Sequence, residues 1–346
     1  MKLTHQTTNK KLAPIGRRAV STSLEVIETS LLATEQPLPL LIRPAVDGVS
    51  LSAWLGNHRE RWEGLLHTHG ALLFRGFGVR TKEELEELAT AASGRLMDYT
   101  YRSTPRSSVG GRIYTSTEYP ADQSIPMHNE MSYTSSWPLK IWFFCDQPSQ
   151  QGGETPLADS RRVWARLNPA LRQRFTEKQV MYVRNYGAGL DLTWENVFQT
   201  TDRARVESFC HEAGIELEWK EGNRLRTLQR CQAVARHPAT GEMVWFNQAH
   251  LFHRSSLAPE VLSTLLATTA EEDLPRDTRY GDGTPIEASA LEEIRGVYAD
   301  ESVAFPWQKG DVLMVDNMLV AHGRRPFSGP RKILVAMAEP VTGERF

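Results

Sequence analysis

Cysteine is scarce in this chain: Cys145, Cys210 and Cys231 stand far apart, with no Cys-x-x-Cys pair. Neither a disulfide framework nor a zinc ribbon fits that spacing, and the expected compartment is the reducing cytoplasm. Charge of one sign is lacking too. With 40 Lys and Arg against 42 Asp and Glu, the net charge is -2, so no basic field exists to draw nucleic acid or a membrane surface. No apolar run approaches the roughly 18 residues that cross a bilayer. The expected partner is a small molecule or another protein. Lys2, Lys10, Lys11, Arg17 and Arg18 make the first residues basic, but no apolar stretch among them would form a secretory signal. Residues 1–35 therefore read as a flexible leader and residues 36–346 as one domain, large enough to bury a substantial core. Internal repeats and low-complexity blocks are missing as well.

What is present is a mixture of periodicities. Leu51, Trp54, Leu55, Trp62 and Leu65 keep near-helical spacing and predict a helix over 51–67. Residues 71–77 read as a buried strand. Thr81 and Glu84 have the Thr-x-x-Glu form of a capping box, in which hydroxyl and carboxylate each satisfy an amide at a helix start. That helix should run to about Ser93, with Gly94 stopping it. Ser160 and Asn168-Pro169 start two short helices, and further helices are expected over 202–213, 259–269 and 288–298. Strands are expected over 112–118, 179–184, 215–219, 225–235, 244–247, 311–316 and 331–338, with a charged loop over 271–285. Trp137, Trp142, Phe143 and Phe144 read as core residues covering a sheet. Strands surrounded by helices, without regular alternation, argue against a doubly wound sheet and for an α+β or β-barrel core.

The stretch 125–159 carries the chemistry. His128 and Glu130 are two residues apart, so on an extended strand both side chains project from one face into one cavity. An imidazole and a carboxylate aimed at one point can hold a divalent metal while leaving positions open. A further neutral imidazole is needed, and His322 is the best candidate, just past a strand and before Gly323, Pro326 and Gly329. Arg331, heading the strand RKILVAMA, has a fork suited to the far carboxylate of a diacid. Each residue also has a plainer reading: His322 as a hydrogen-bonded loop histidine, Arg331 as an edge-strand charge, Thr155 as a turn residue after two glycines. His250 and His253 read as packing or helix-start residues rather than a second metal pair, and Asn247, at a strand end, as a candidate pocket residue.

In order, His128-x-Glu130, Gly152-Gly153-Glu154-Thr155, Gly310-Asp311-Val312-Leu313, Asp316-Asn317, His322-Gly323-Arg324 and Arg331-Lys332-Ile333-Leu334 resemble the taurine dioxygenase (TauD/TfdA) family of iron(II)/2-oxoglutarate-dependent oxygenases. The likeness is strongest to its clavaminate-synthase-like and syringomycin-hydroxylase-like branch. It runs from about Leu40, since GALLFRGF, YGDGTPI and FNQAHLFH share it. The resemblance implies an α+β fold with a double-stranded β-helix, or jelly-roll, core and helical and loop insertions over roughly 160–305. It implies iron(II) on His128, Glu130 and His322, one 2-oxoglutarate carboxylate on Arg331, a supporting hydroxyl from Thr155, and dioxygen as co-reactant. Lys332 is the rival of Arg331, because adjacent strand residues face opposite ways.

Glu130 stands where related halogenases have a small residue that makes room for chloride, so halogenation is not expected. Val335 stands where sulfonate-cleaving members carry a further arginine, which argues against taurine-like substrates. The implied activity is hydroxylation of an unactivated carbon of an amino acid or derivative, free or tethered to a carrier protein, in specialised-metabolite biosynthesis. A zinc hydrolase built on the same three residues and a non-catalytic jelly-roll binding module are the alternatives.

Overall fold

The apolar run at 141–145 forms the middle of a long strand, Ser136–Gln147, and the main sheet extends to both sides of it. The computed structural model of the protein describes residues 25–33, 36–98, 101, 103, 106–116, 119–187, 189 and 191–343. In spatial order the main sheet holds β1 (Ile27–Ala33), β2 (Gln36–Pro44), β3 (Ala71–Phe74), β16 (Val312–Asp316), β7 (Ser136–Gln147), β19 (Lys332–Thr342), β5 (Ile113–Thr115) and β4 (Ser108–Gly110). Only the β2–β3 pair is parallel among these neighbours.

Side chains along the central strands alternate between two covered faces. Trp142, Phe144, Met314 and Leu334 pack towards one cluster, whereas Ile141, Phe143, Leu313 and Val335 pack towards another. Burial on both faces explains why these strands read as unbroken apolar runs. Each fully buried aliphatic or aromatic side chain contributes roughly 1.5–3 kcal/mol. The first face is covered by α1 (Leu51–Asn57), α2 (Arg59–His69) and α3 (Lys82–Ser93). The capping box of α3 forms as expected, with Thr81 Oγ1 accepting from Glu84 N and Glu84 Oε2 accepting from Thr81 N. The single helix expected over 51–67 is two, because the His58 backbone and ring Nδ1 both bond Trp54 O and end α1 there.

The opposite face carries the site. Beside it lies a three-stranded sheet in the order β6 (Ile125–His128), β17 (Val320–Arg324), β9 (Leu157–Asp159), with β8 (Gln151–Gly152) and β18 (Phe327–Ser328) paired nearby. A further sheet, β11 (Ile215–Lys220), β12 (Arg224–Cys231), β10 (Val180–Tyr186), β15 (Arg276–Tyr280), and the pair β13 (Val234–Arg236) and β14 (Met243–Trp245) complete the strands. Their core is shared with α4 (Ser160–Arg166), α5 (Pro169–Lys178), α6 (Trp194–Phe198), α7 (Arg203–Ala213), α8 (Ala249–Phe252) and α10 (Ala288–Glu301), while α9 (Pro259–Leu266) lies on the surface. The protein is thus of mixed α+β content, and among the described residues no helix is long and apolar enough to cross a membrane.

Three expectations need correction. Residues 27–33, assigned to the flexible leader, form β1 paired with β2, and Ile27 is buried; residues 1–24 and 34–35 of that leader lie outside the described residues. The loop expected over 271–285 contains β15, whose polar sequence hid it: Thr278 is buried with its hydroxyl on Ala249 O, and Arg276 pairs with Asp191. The strand expected over 225–235 is divided between β12 and β13 at Gln232, whose side-chain amide bonds Ser132 O instead.

Candidate active site

His128 closes β6 and faces His322 directly across the β6–β17 ladder, with ring centroids 4.5 Å apart. His322 is inside a strand, not just past one as the sequence had implied. Phe143, from the main sheet, meets its ring edge-on at 5.1 Å. His128 Nδ1 donates to Pro126 O at 2.8 Å, which leaves Nε2 with its lone pair. His322 Nδ1 is buried with no hydrogen-bond partner. Burial lowers the pKa of both rings, His322 well below the usual histidine range, so both are neutral bases at pH 7.

Glu130 lies beyond the end of β6, in a turn, rather than on the strand itself. Ser132 N donates to Asn129 O, and Met131 takes φ 58, which ends the extended backbone. The peptide of Glu130 is gripped by Asn317, whose Oδ1 accepts from Glu130 N at 2.7 Å and whose Nδ2 donates to Glu130 O at 2.9 Å. Arg106 Nη2 donates to Glu130 Oε2 at 2.5 Å. Nothing in the local sequence singled out Arg106. Asn317 was visible as part of the Asp316-Asn317 motif, but its task was not.

Among the described residues, two groups of three side chains bring metal-ligand atoms within 4.8 Å of one another: His128, Glu130 and His322, and His67, His237 and Asp316. The second group is explained without an ion. His237 Nδ1 accepts from Ala239 N and Thr240 N, so Nε2 carries the hydrogen and donates it to Asp316 Oδ2 at 3.0 Å. In the first group the free Nε2 of His128 and the neutral ring of His322 stand beside a carboxylate. Two nitrogens and one oxygen, with room beside them, suit a divalent first-row metal that keeps open positions.

The room is a small cleft, in which the centre of a water-sized sphere can occupy about 30 Å³. Arg331, Thr155, Ser116 and Arg324 line its polar side, and Phe143 and Val335 its apolar side. Arg331 Nε donates to Gly153 O at 2.9 Å, and burial beside Arg324 pushes its pKa down to about 10, which still leaves it charged at pH 7. Lys332 faces the other way, 53% exposed, with its ammonium 2.9 Å from Asp146. Thr155 Oγ1 accepts from Trp307 Nε1 at 3.1 Å, so its hydroxyl hydrogen remains available to donate. Arg324 donates to the carbonyls of Tyr119, Pro120 and Gln123 and holds that loop beside the cleft. Asn247 does not line it: its amide is spent on Ala233 O and Ala249 N. His250 donates to Met127 O behind β6, and His253 caps the turn at Ser255, as packing and helix-start residues would.

Residues 34–337 match the model of the taurine catabolism dioxygenase TauD, TfdA family. The chain belongs to the TauD/TfdA family. It is 37% identical over 310 residues to the dapdiamide synthesis protein DdaC of Enterobacter agglomerans, covering 90% of this chain and 94% of that protein. It is 32% identical over 326 residues to a clavaminate synthase-like protein of Arabidopsis thaliana, covering 88% and 94%. The fold matches PvcB of Pseudomonas aeruginosa with a TM-score of 0.54 at 15% identity over 93% of this chain and 94% of that one, and a PvcB structure described as an iron, α-ketoglutarate-dependent oxygenase from an isonitrile synthetic pathway with the same TM-score and identity over 96% and 94%. A taurine dioxygenase from Burkholderia xenovorans superposes with a TM-score of 0.53 at 15% identity, covering 92% and 95%. This TauD/TfdA protein is accordingly an iron(II)- and 2-oxoglutarate-dependent dioxygenase. The zinc-hydrolase and binding-module alternatives fall away with that membership.

Proposed function

We propose that this dioxygenase hydroxylates an unactivated C–H bond of an amino acid or amino-acid derivative, free or tethered to a carrier protein, in the making of a specialised metabolite. In this reading His128, Glu130 and His322 hold the iron, and Arg331 and Thr155 hold 2-oxoglutarate. The observation that carries it is the convergence of three donor atoms within 4.8 Å of one another beside the cleft that His128, His322 and Arg331 line. The names of two similar proteins, a dapdiamide synthesis protein and an oxygenase of an isonitrile pathway, support the substrate class. The reading includes one oxygenase domain, expected over 36–346 and extended by β1 back to residue 27, with a double-stranded β-helix core, of which the main sheet and the β6–β17–β9 sheet are the two facing walls, and 160–305 as the insertion.

Iron with 2-oxoglutarate supplies the oxidising power, through oxidative decarboxylation of the cosubstrate to succinate and carbon dioxide. The chain's own residues bind, orient and exclude water. The two buried imidazoles offer lone pairs without first losing a proton. Arg331 presents a planar fork to a carboxylate, and the Thr155 hydroxyl donates beside it. Phe143 and Val335 give the reacting carbon a dry wall, which keeps the oxidant from water. Val335 also leaves no second guanidinium on that strand for a sulfonate.

The test is anaerobic addition of iron(II) and 2-oxoglutarate, then oxygen, to the full chain with a panel of free and carrier-loaded amino acids. Succinate formation stimulated by a panel member, with a product heavier by one oxygen atom, is the expected result. No stimulation by any of them overturns the substrate class. No 2-oxoglutarate binding in His322→Ala, beside binding in Lys332→Met, is expected from the site assignment.

A further inference from the structure

We propose that Arg106 is a positioning residue for the metal carboxylate. By holding one oxygen of Glu130, it confines that side chain to donating through the other, and so keeps coordination positions open for the cosubstrate. The inference rests on the assignment of His128, Glu130 and His322 made above.

Glu130 and Arg106 have side chains only 4% exposed, and Nη2 meets Oε2 at 2.5 Å. Glu130 cannot swing as a whole, because Asn317 holds its peptide from both sides. A carboxylate fixed at its backbone and at one oxygen has the other oxygen to present to the space between His128 and His322. Carboxylates bind divalent ions through one oxygen or through both. Chelation through both would take a position that 2-oxoglutarate and dioxygen together need, whereas donation through one leaves it open. Arginine suits this task better than lysine, because its planar fork fixes the direction of the hydrogen bond and it stays charged beside a cation. The same pairing draws electron density from Glu130 and sets a cation near the ion. Arg106 therefore weakens metal binding while it protects cosubstrate binding. Simple charge compensation of a buried glutamate in the metal-free protein makes a different forecast, since a lysine would serve as well.

The experiment compares wild type, Arg106→Met and Arg106→Lys as full-length chains. Manganese(II) affinity is measured alone, then 2-oxoglutarate affinity of the manganese-loaded protein, then the visible charge-transfer absorption of the anaerobic iron(II)–2-oxoglutarate complex. Arg106→Met should bind manganese about threefold more tightly or better, bind 2-oxoglutarate at least about tenfold more weakly, and show a shifted or lost absorption. Arg106→Lys should fall between. Unchanged or weaker manganese binding in Arg106→Met overturns the inference, as does wild-type cosubstrate affinity in Arg106→Lys. If Arg106→Met does not fold, Arg106→Lys decides by the same cosubstrate measurement. A wild-type chain without metal-dependent 2-oxoglutarate binding overturns the site assignment itself, and that failure is told apart because it precedes any variant.

Discussion

Asn317 and Glu130 are joined through both hydrogen-bonding groups of the Glu130 peptide, the amide of one side chain replacing what a neighbouring strand would provide. Asn317 opens the turn between β16 and β17, and Glu130 sits in the turn between β6 and β7. The turn that leads into β17, the strand carrying His322, and the turn that delivers Glu130 are therefore one locked unit. Asn129 reinforces it by donating to Asn317 O at 2.7 Å and to Ser160 Oγ. The spacing of the triad is set by these backbone bonds, independently of an ion.

Asn317→Ala should cost both stability and metal affinity. It strands the buried N–H and C=O of Glu130 and also Pro138 O, each of which loses its Asn317 bond. A loss of roughly 2–4 kcal/mol in urea unfolding is expected. Manganese(II) affinity should fall at least about tenfold, because the carboxylate loses its fixed origin. Asn317→Asp should not restore either, since a carboxylate cannot donate to Glu130 O. Full metal affinity in a destabilised Asn317→Ala would show that the lock does not set the site.

Arg331, just before β19, lines the cleft and Lys332, its first residue, faces away from it, so they form a built-in control. Arg331→Lys should raise the KM for 2-oxoglutarate by about 10–100-fold, because a single ammonium cannot reproduce the paired bonds of the fork. Lys332→Met removes an exposed pair with Asp146 and should change the KM by less than about twofold and stability by less than about 1 kcal/mol. Steady-state kinetics with the substrate found above would check both. Equal effects of the two substitutions would contradict the orientation of the strand.

What the sequence disclosed and what it hid follow from physical range. The α3 capping box and the core strands are local signals, carried by residue type and spacing, and the elements stand where those signals lie, whereas the grouping of His322 with His128 and Glu130 came with the family resemblance. His128 and Glu130 were expected to share a strand face because i, i+2 spacing says so. Glu130 instead reaches the same place from a turn, because Asn317, distant in sequence, supplies the bonds that a strand partner would. Arg106 was invisible for the same reason: Glu130, with which it pairs, stands 24 residues away in sequence. β15 was hidden because its buried residues are polar and satisfied by partners elsewhere, such as Ala249 O for Thr278.

His250 makes the fold sensitive to acid. Burial pushes its pKa down to about 3, against about 6.5 in the unfolded chain. The unfolded chain takes up the proton first, so the contribution is fully present above about pH 6.5 and is lost as pH falls towards 3, at about 1.4 kcal/mol per pH unit. Urea unfolding of the metal-free protein should therefore lose roughly 1.5–2 kcal/mol more between pH 6.5 and 5 in wild type than in His250→Gln. The comparison cancels the contributions of His128 and His322, whose shifts have the same sign. Parallel pH profiles for the two proteins would refute it.

Gly153 explains why the turn before Thr155 carries glycine. Its φ is +72, and a Cβ there would lie 2.5 Å from Ser149 Oγ, 2.9 Å from Arg331 Cδ and 3.0 Å from Arg331 Nε, while its own carbonyl accepts from that Nε. The glycine is therefore a seat for the guanidinium stem as well as a bend in the chain. Gly153→Ala must displace the Ser149 hydroxyl and either move Arg331 or open the turn that leads to Thr155, so both contacts proposed for the cosubstrate are disturbed together. Strain at a positive φ predicts a stability loss of about 1–2 kcal/mol. The displacement predicts a 2-oxoglutarate affinity at least about tenfold weaker with manganese(II) affinity unchanged, since no metal-binding side chain touches this turn. Calorimetric titration of manganese(II), then of 2-oxoglutarate, separates the two effects. A Gly153→Ala protein that loses stability but binds 2-oxoglutarate normally would mean that Arg331 does not take its position from this turn.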